Sequence, residues 1–333
     1  MELLSPQSIV SWMSAFGSRY KEQRRHDQEL LAATDLVVDV ADPTIRQVGK
    51  YQKDLRGAVN AAIGYCANLV DDIPGPVRLS RNQYHADPLV KAVFASGDQM
   101  MEILKSAVEN QSLQDWKNGD EGVALLTMAR TGRTIFGYEK HKDMMLGDVA
   151  KRTVNFIDHR IVALSPILST TKKKLQHRAL EVLATVAMER ITTIRGNIAE
   201  LQERKIHLQS IHRILKGRNR TMDLFAHPSY ETTQKINKVK QQLVEVETEL
   251  EAERGRLATP ADSLTLLEEI IASPDESLIM ERKSLRVDWM NVLLDGRDNV
   301  EGNDISLAEF SVGEELQRWA VMVTFQPEDV EAA

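Results

Sequence analysis

The chain has 333 residues, 42% of them hydrophobic but only 5% aromatic, with 42 Lys and Arg against 49 Asp and Glu. That length supports about two domains with a sizeable core, so neither metals nor disulfides are needed to hold the fold. The lone Cys66 excludes an intramolecular disulfide and a cysteine-rich zinc site. A net charge of −7 argues against non-specific nucleic-acid binding over the whole surface.

The N-terminus has no basic segment followed by an apolar core, and no stretch approaches the roughly 20 apolar residues that cross a bilayer. The expectation is therefore a cytoplasmic protein that is neither exported by a standard signal nor integral to a membrane. Abundant Leu, Ala, Glu, Gln, Lys and Arg favour helices over sheets.

Helix-start chemistry appears at Ser5-Pro6, followed by Ile9, Val10, Met13, Phe16 and Tyr20 at helical spacing. A second segment carries Leu30, Leu31, Leu36, Val37 and Val40. Asp42-Pro43 repeats the cap signal and predicts a third helix with the apolar stripe Ile45, Val48, Leu55, Val59, Ala62, Cys66 and Leu69. The run Asp71-Asp72-Ile73-Pro74-Gly75-Pro76 stops it. Asp87-Pro88 and Ser96-Gly97-Asp98 open two shorter helices. Residues 1–110 read as a helical bundle.

From Gly122 the pattern changes. Val123–Ala129 and Thr134–Tyr138 flank Arg130-Thr131-Gly132-Arg133, predicting a β-hairpin with a glycine turn, and β-branched residues between Arg152 and Leu164 add strands. Leu180, Leu183, Ala187, Ile191, Ile194, Ile198, Leu201, Lys205, Leu208, His212 and Leu215 then step by three and four. The register resumes at Ile236, Val239, Leu243, Val246, Leu250 and Leu257. Folding the arms back about residue 222 sets core positions against each other, which predicts an intramolecular antiparallel coiled-coil hairpin; pairing between chains, giving a homo-oligomer, is the alternative. A short helix after Thr259-Pro260 and β-like stretches at Leu285–Leu293 and Trp319–Phe325 complete the chain, with Gly296, Gly302 and Asn303 as loop residues between them.

The expected fold is α+β, mainly α. It comprises a helical bundle over 1–110, a β-containing segment over 111–168, the hairpin over 169–258, and a short helix with a β-rich tail over 259–333. The tail strands are expected to join those of 122–164 in one small antiparallel sheet.

Charge singles out the end of the hairpin. Between Arg204 and Lys240 lie nine Lys and Arg, among them Lys216, Arg218, Arg220, Lys235 and Lys238, against Asp223 and Glu231. A protruding basic tip concentrates its field on an anionic partner such as RNA, DNA or anionic lipid, or on a protein. Solvation of an exposed helix and pairing with Glu across the hairpin account for the same residues. Met222, Leu224 and Phe225 in the turn either enter a partner or close the end of the coil.

His207 and His212, five apart, do not share a helix face as a zinc pair does. His141, Asp143, Asp148, Asp158 and His159 come nearest to a polar constellation of catalytic type, and structural roles account for the same residues. Of these, Asp158 and His159, adjacent in a strand, point to opposite faces. Asp71-Asp72 at a helix C-terminus opposes the macrodipole, which points to a metal or a basic partner, although solvation of the turn explains it as well. No phosphate-loop, dinucleotide, nucleophile-elbow or zinc-ligand motif is present, and no cofactor is expected. The leading expectation is a non-enzymatic interaction or scaffolding protein acting through the basic tip. An enzyme with a site between the bundle and the sheet, using His141, Asp143 and His159, is the alternative.

Overall fold

The computed structural model describes residues 6–109, 120–141, 144–223, 230–294, 302–313 and 316–328, with side chains for all but 6–22, 136–149, 219–223 and 232. The chain divides into two units, Met1–Asn60 with Leu183–Ala272 and Ala61–Val182 with Ser273–Ala333. The fold is α+β and mainly helical, with one curled antiparallel sheet.

In the first unit, the first two apolar segments of the sequence belong to one helix, α1 (Pro6–Ala41). The intervening Lys21–Glu29 contains neither Gly nor Pro, and its Glu, Gln, Lys and Arg sustain a helix. Leu30, Ala33, Val37, Val38 and Ala41 form its buried stripe. Asp42 caps the next element as expected, its Oδ1 accepting from Thr44 N at 3.0 Å and Thr44 Oγ1 at 2.8 Å.

That element is a 3-10 turn over Pro43–Gln47, not the start of one continuous helix. It ends at Val48, just before Gly49. The chain re-enters helix as α2 (Tyr51–Asp54) and α3 (Arg56–Asp71). The stripe survives the interruption: Ile45, Leu55, Val59, Ala62, Cys66 and Leu69 are all buried.

Further along the chain lie two long helices, α7 (Leu168–Asp223) and α8 (Tyr230–Arg256). Leu208 of α7 shares one apolar cluster with Val239 and Val246 of α8, flanked by Leu201, Ile211, Leu215 and Leu243. Ile191 and Ile194 form another with Leu257, beside Leu266 of α9 (Pro260–Ala272). Lys205 and Glu247 pair at 2.9 Å across the two helices. Leu224 and Phe225 lie outside the described residues, as does the side chain of Met222.

The second unit holds helices α4 (Arg81–Ala86), α5 (Pro88–Val93), α6 (Gly97–Glu109) and α10 (Pro274–Ser277) around the sheet. Asp87 caps α5, accepting from Leu89 N at 2.8 Å, and Ser96 Oγ accepts from Gln99 N at 3.1 Å at the start of α6. The sheet comprises β1 (Val77–Arg78), β2 (Gly122–His141), β3 (Met144–Ser165), β4 (Leu278–Val287), β5 (Asn303–Val312) and β6 (Leu316–Phe325). Strands run in the order β3-β2-β6-β5-β4, with short β1 parallel to β6. The two separated stretches of sequence thus form one sheet.

Three details depart from the sequence pattern. Gly132 is not a turn: β2 runs straight through it, paired to Val154, and the reversal comes after His141. A Cβ at Gly132 would lie 3.2 Å from Thr153 O, so glycine permits the close approach of the two strands. The strand expected over 285–293 stops at Val287, because Asp288 Oδ1 accepts from Met290 N and Val292 N at 2.8 Å each and folds the chain into a side-chain-closed turn. Finally, Asn303 opens β5 instead of extending a loop.

The sheet buries both faces. Ala124, Leu126 and Met128 of β2, Ile305 and Leu307 of β5, and Trp319, Val321, Val323 and Phe325 of β6 pack with residues of α5 and α6. Their neighbours Val123, Leu125, Ala308, Ala320 and Met322 pack with Val70, Ile73 and Leu175. Two-sided burial explains why β2 reads as an unbroken apolar run.

Asp158 (φ 51°) and Ala163 (φ 58°) mark bulges in β3, where its register against β2 slips. Each slip bends the strand. Leu293 N then donates to Arg152 O at 2.8 Å, Val154 N to Asn291 O at 2.8 Å, and Leu294 N to Arg286 O at 2.9 Å. The segment 291–294 therefore bridges the edge strands β3 and β4, and the sheet curls toward a closed barrel.

Cys66 is fully buried in α3, and burial pushes its thiol up to about 11. A thiol with that value carries almost no thiolate at pH 8. Ellman's reagent is expected to leave the folded protein unmodified at pH 8 and to titrate one thiol after denaturation. Rapid reaction of the native protein would contradict this burial.

Candidate functional site

Lys216 and Arg218 are exposed on α7, as are Lys235 and Lys238 on α8. Lys235 pairs with Glu231 one turn away at 3.1 Å. No carboxylate pairs with Lys216, Arg218 or Lys238 among the described residues. Arg220 lies on α7, and its side chain is outside the described set. Three apolar side chains of the same two helices are also largely exposed: Ile206 at 64%, Ile214 at 60% and Val244 at 63%.

Of the polar constellation, His141 and His159 are not brought together. His141 ends β2 opposite Met144, whereas His159 lies far down β3. From Met144 to His159 the strand covers roughly 45–50 Å. Asp143 is outside the described residues, as are the side chains of His141 and Asp148.

Asp158 and His159 reach different partners across the bulge, Arg318 on β6 and Val93 at the end of α5. Asp158 meets Arg318 at 2.6 Å and Arg160 at 3.1 Å, and the Arg318 guanidinium holds its carboxyl below the usual carboxylate range. His159 Nε2 is 2.9 Å from Val93 O and its ring stacks on Phe94 at 5.0 Å; burial lowers its pKa. Both residues do structural work, fixing β3 to β6 and to the end of α5.

Asp71 finds its basic partner within the chain, as Lys172 Nζ lies 2.7 Å from its carboxylate. His212 Nε2 is buried without a hydrogen-bond partner, and no group of three metal-ligating side chains exists among the described residues.

A different cluster emerges at one end of the curled sheet. Arg130 continues the inward-facing series Ala124, Leu126, Met128 of β2, and Arg152 continues the series Phe156, Val154 of β3. Beyond Met128, β2 has no pairing to β6, so these positions leave the core and line an open cleft of about 480 Å³. Arg133, Thr134, Thr153, Leu293, Gln317 and Trp319 share its wall.

Trp319 forms the floor, 3% exposed, with Phe156 at 6.1 Å and the Arg130 guanidinium 5.0 Å above its ring. The one carboxylate in the wall among the described residues, Glu309, lies 3.8 Å from Lys283. No carboxylate pairs with Arg130, Arg133 or Arg152 among the described residues. The sequence signal for this cleft is the alternation that sets Arg130 in phase with Met128, and it becomes readable only once β2 is known to run through Gly132.

Compared with family models, curated proteins and solved structures, the chain matches none. No described helix is long and apolar enough to cross a membrane.

Proposed function

We propose that the chain is a non-enzymatic interaction protein in which α7 and α8 form an antiparallel coiled-coil arm whose basic end meets an anionic partner. The observation that supports this reading is the coincidence of shared packing and uncompensated charge. The two helices contribute to one apolar cluster, and Lys216, Arg218 and Lys238 stand exposed on them without carboxylate partners among the described residues. Nine Lys and Arg between Arg204 and Lys240, against two acidic residues, give a local positive potential inside a chain of net charge −7. Lys205–Glu247 accounts for one of these cations by pairing across the helices, but not for those nearer the turn.

Exposed Ile206, Ile214 and Val244 favour a second reading, a protein partner that covers the flank of the same arm. His141 and His159 lie far apart along the strands, so the enzymatic alternative draws no support from that pair.

The wild type is expected to bind RNA, DNA or anionic vesicles with an affinity that falls steeply with salt. In the Lys216→Glu, Arg218→Glu, Arg220→Glu variant this binding is expected to be lost, with the urea midpoint unchanged. Equal retention by the two proteins would sink the anionic reading, as would failure of the wild type to bind any of the three probes at low salt.

A further inference from the structure

The arginine-lined cleft at the end of the curled sheet has no part in the arm, and it carries an inference of its own. We propose that it is a binding site for a small phosphorylated ligand, a diphosphate ester of nucleotide size. Four observations support this.

The first is charge. Arg130, Arg133 and Arg152 line one cavity whose only carboxylate among the described residues, Glu309, is already within reach of Lys283. An incoming dianion therefore meets guanidinium groups that need not be pulled from internal carboxylates among the described residues. Guanidinium groups are planar, permanently charged forks that match phosphate oxygens.

The second is preorganisation. Arg130 is held over the Trp319 ring, and Trp319 is itself fixed by burial and by Phe156. The backbone beneath Arg152 is fastened as well, since Arg152 O accepts from Leu293 N. The cations thus project from a paired β-ladder, which lowers the entropy lost on binding.

The third is neutral hydrogen-bonding capacity. Thr134, Thr153 and Gln317 stand in the same wall, and Leu293 supplies an apolar patch for the organic part of a ligand.

The fourth is size and place. About 480 Å³ is within the range of small-molecule sites, and the mouth of a curled sheet is a frequent location for them. A lone carboxylate would leave most of that space and two of the three cations unused.

The test uses the full chain and two probes, inorganic diphosphate and adenosine diphosphate, titrated calorimetrically at low and moderate salt. Both are expected to bind. Arg130→Gln and Arg152→Gln are each expected to weaken binding about tenfold or more, the usual loss for a charged hydrogen bond to phosphate. Because these side chains are exposed, the urea midpoint should stay where it was, and Arg133→Gln provides a third independent variant.

Tighter binding of the nucleotide than of inorganic diphosphate would place its organic part against Leu293 and Gln317; equal binding would assign the site to the phosphates alone. The charge-reversed arm variant should bind both probes as the wild type does, so the two proposals fail separately. The proposal is overturned if neither probe binds, if all three glutamine variants bind like the wild type, or if only a single-stranded RNA oligomer engages the cleft.

Discussion

Replacing Asp42 by alanine is expected to destabilise the first unit by about 3 kcal/mol, from a lost cap of about 1 kcal/mol and a lost charged hydrogen bond of about 2 kcal/mol. Asp42 is 4% exposed yet remains ionised because its oxygens are occupied. Oδ1 accepts from Thr44 N and Oγ1, closing the first turn after α1, and Oδ2 meets Arg195 of α7. The residue joins three segments that are distant in sequence, since Arg195 also contacts Ser263 of α9 at 3.4 Å.

Burial alone would raise the carboxyl's pKa, but the hydrogen bonds from Thr44, Arg195 and Ser263 outweigh it and hold the value below the ordinary 3.8. A carboxylate with a depressed folded-state pKa contributes its stability above the unfolded value and loses it as pH falls through the folded one. The wild type should therefore lose stability from about pH 4 downward, and Asp42→Asn should show a shallower acid limb. Urea unfolding of both proteins at pH 7 and pH 3 checks this: a constant gap between them across that range would exclude the linkage.

Gly75→Ala is expected to cost the second unit about 3–5 kcal/mol, combining left-handed backbone strain with steric overlap. Gly75 sits at φ +113°, a conformation L side chains rarely adopt, and a Cβ there would overlap the carbonyl oxygen of Met322. That oxygen belongs to β6, which is held there by its pairing of Met322 with Leu125 of β2 and resists retreat. The turn would have to lift instead, breaking the 2.9 Å bond from Met322 N to Pro74 O and pulling on β1, where Val77 pairs with Val323.

Gly64→Ala in α3 is the matching control. A Cβ there meets nothing within 4 Å, so the substitution should stabilise by about 0.5–1 kcal/mol through helix propensity. Chemical denaturation of both variants decides the point; equal and small effects would mean that the turn at Gly75 is free to shift.

Local chemistry was readable in the chain from the start. Asp42, Asp87 and Ser96 announce helix starts because a short polar side chain can serve only the backbone amides two or three residues ahead. The buried stripe from Ile45 to Leu69 was visible because helical periodicity is a property of contiguous residues. The apolar register of α7 and α8 was visible for the same reason, as were the β-branched runs of β2, β3 and β6.

Tertiary structure alone decided the rest. Whether Gly132 turns the chain depends on the presence of Val154 opposite it, 22 positions later. The assignment of β5 required a partner on each side, β4 and β6, to satisfy its backbone.

The arginine cleft is the clearest case. Strand pairing sets Arg130 and Arg152 on one face of the same ladder, four register positions apart, and Trp319 arrives from a strand almost 190 residues beyond Arg130. Composition and periodicity describe what a residue does to its near neighbours, whereas a site is made by groups whose closeness is a product of the whole sheet.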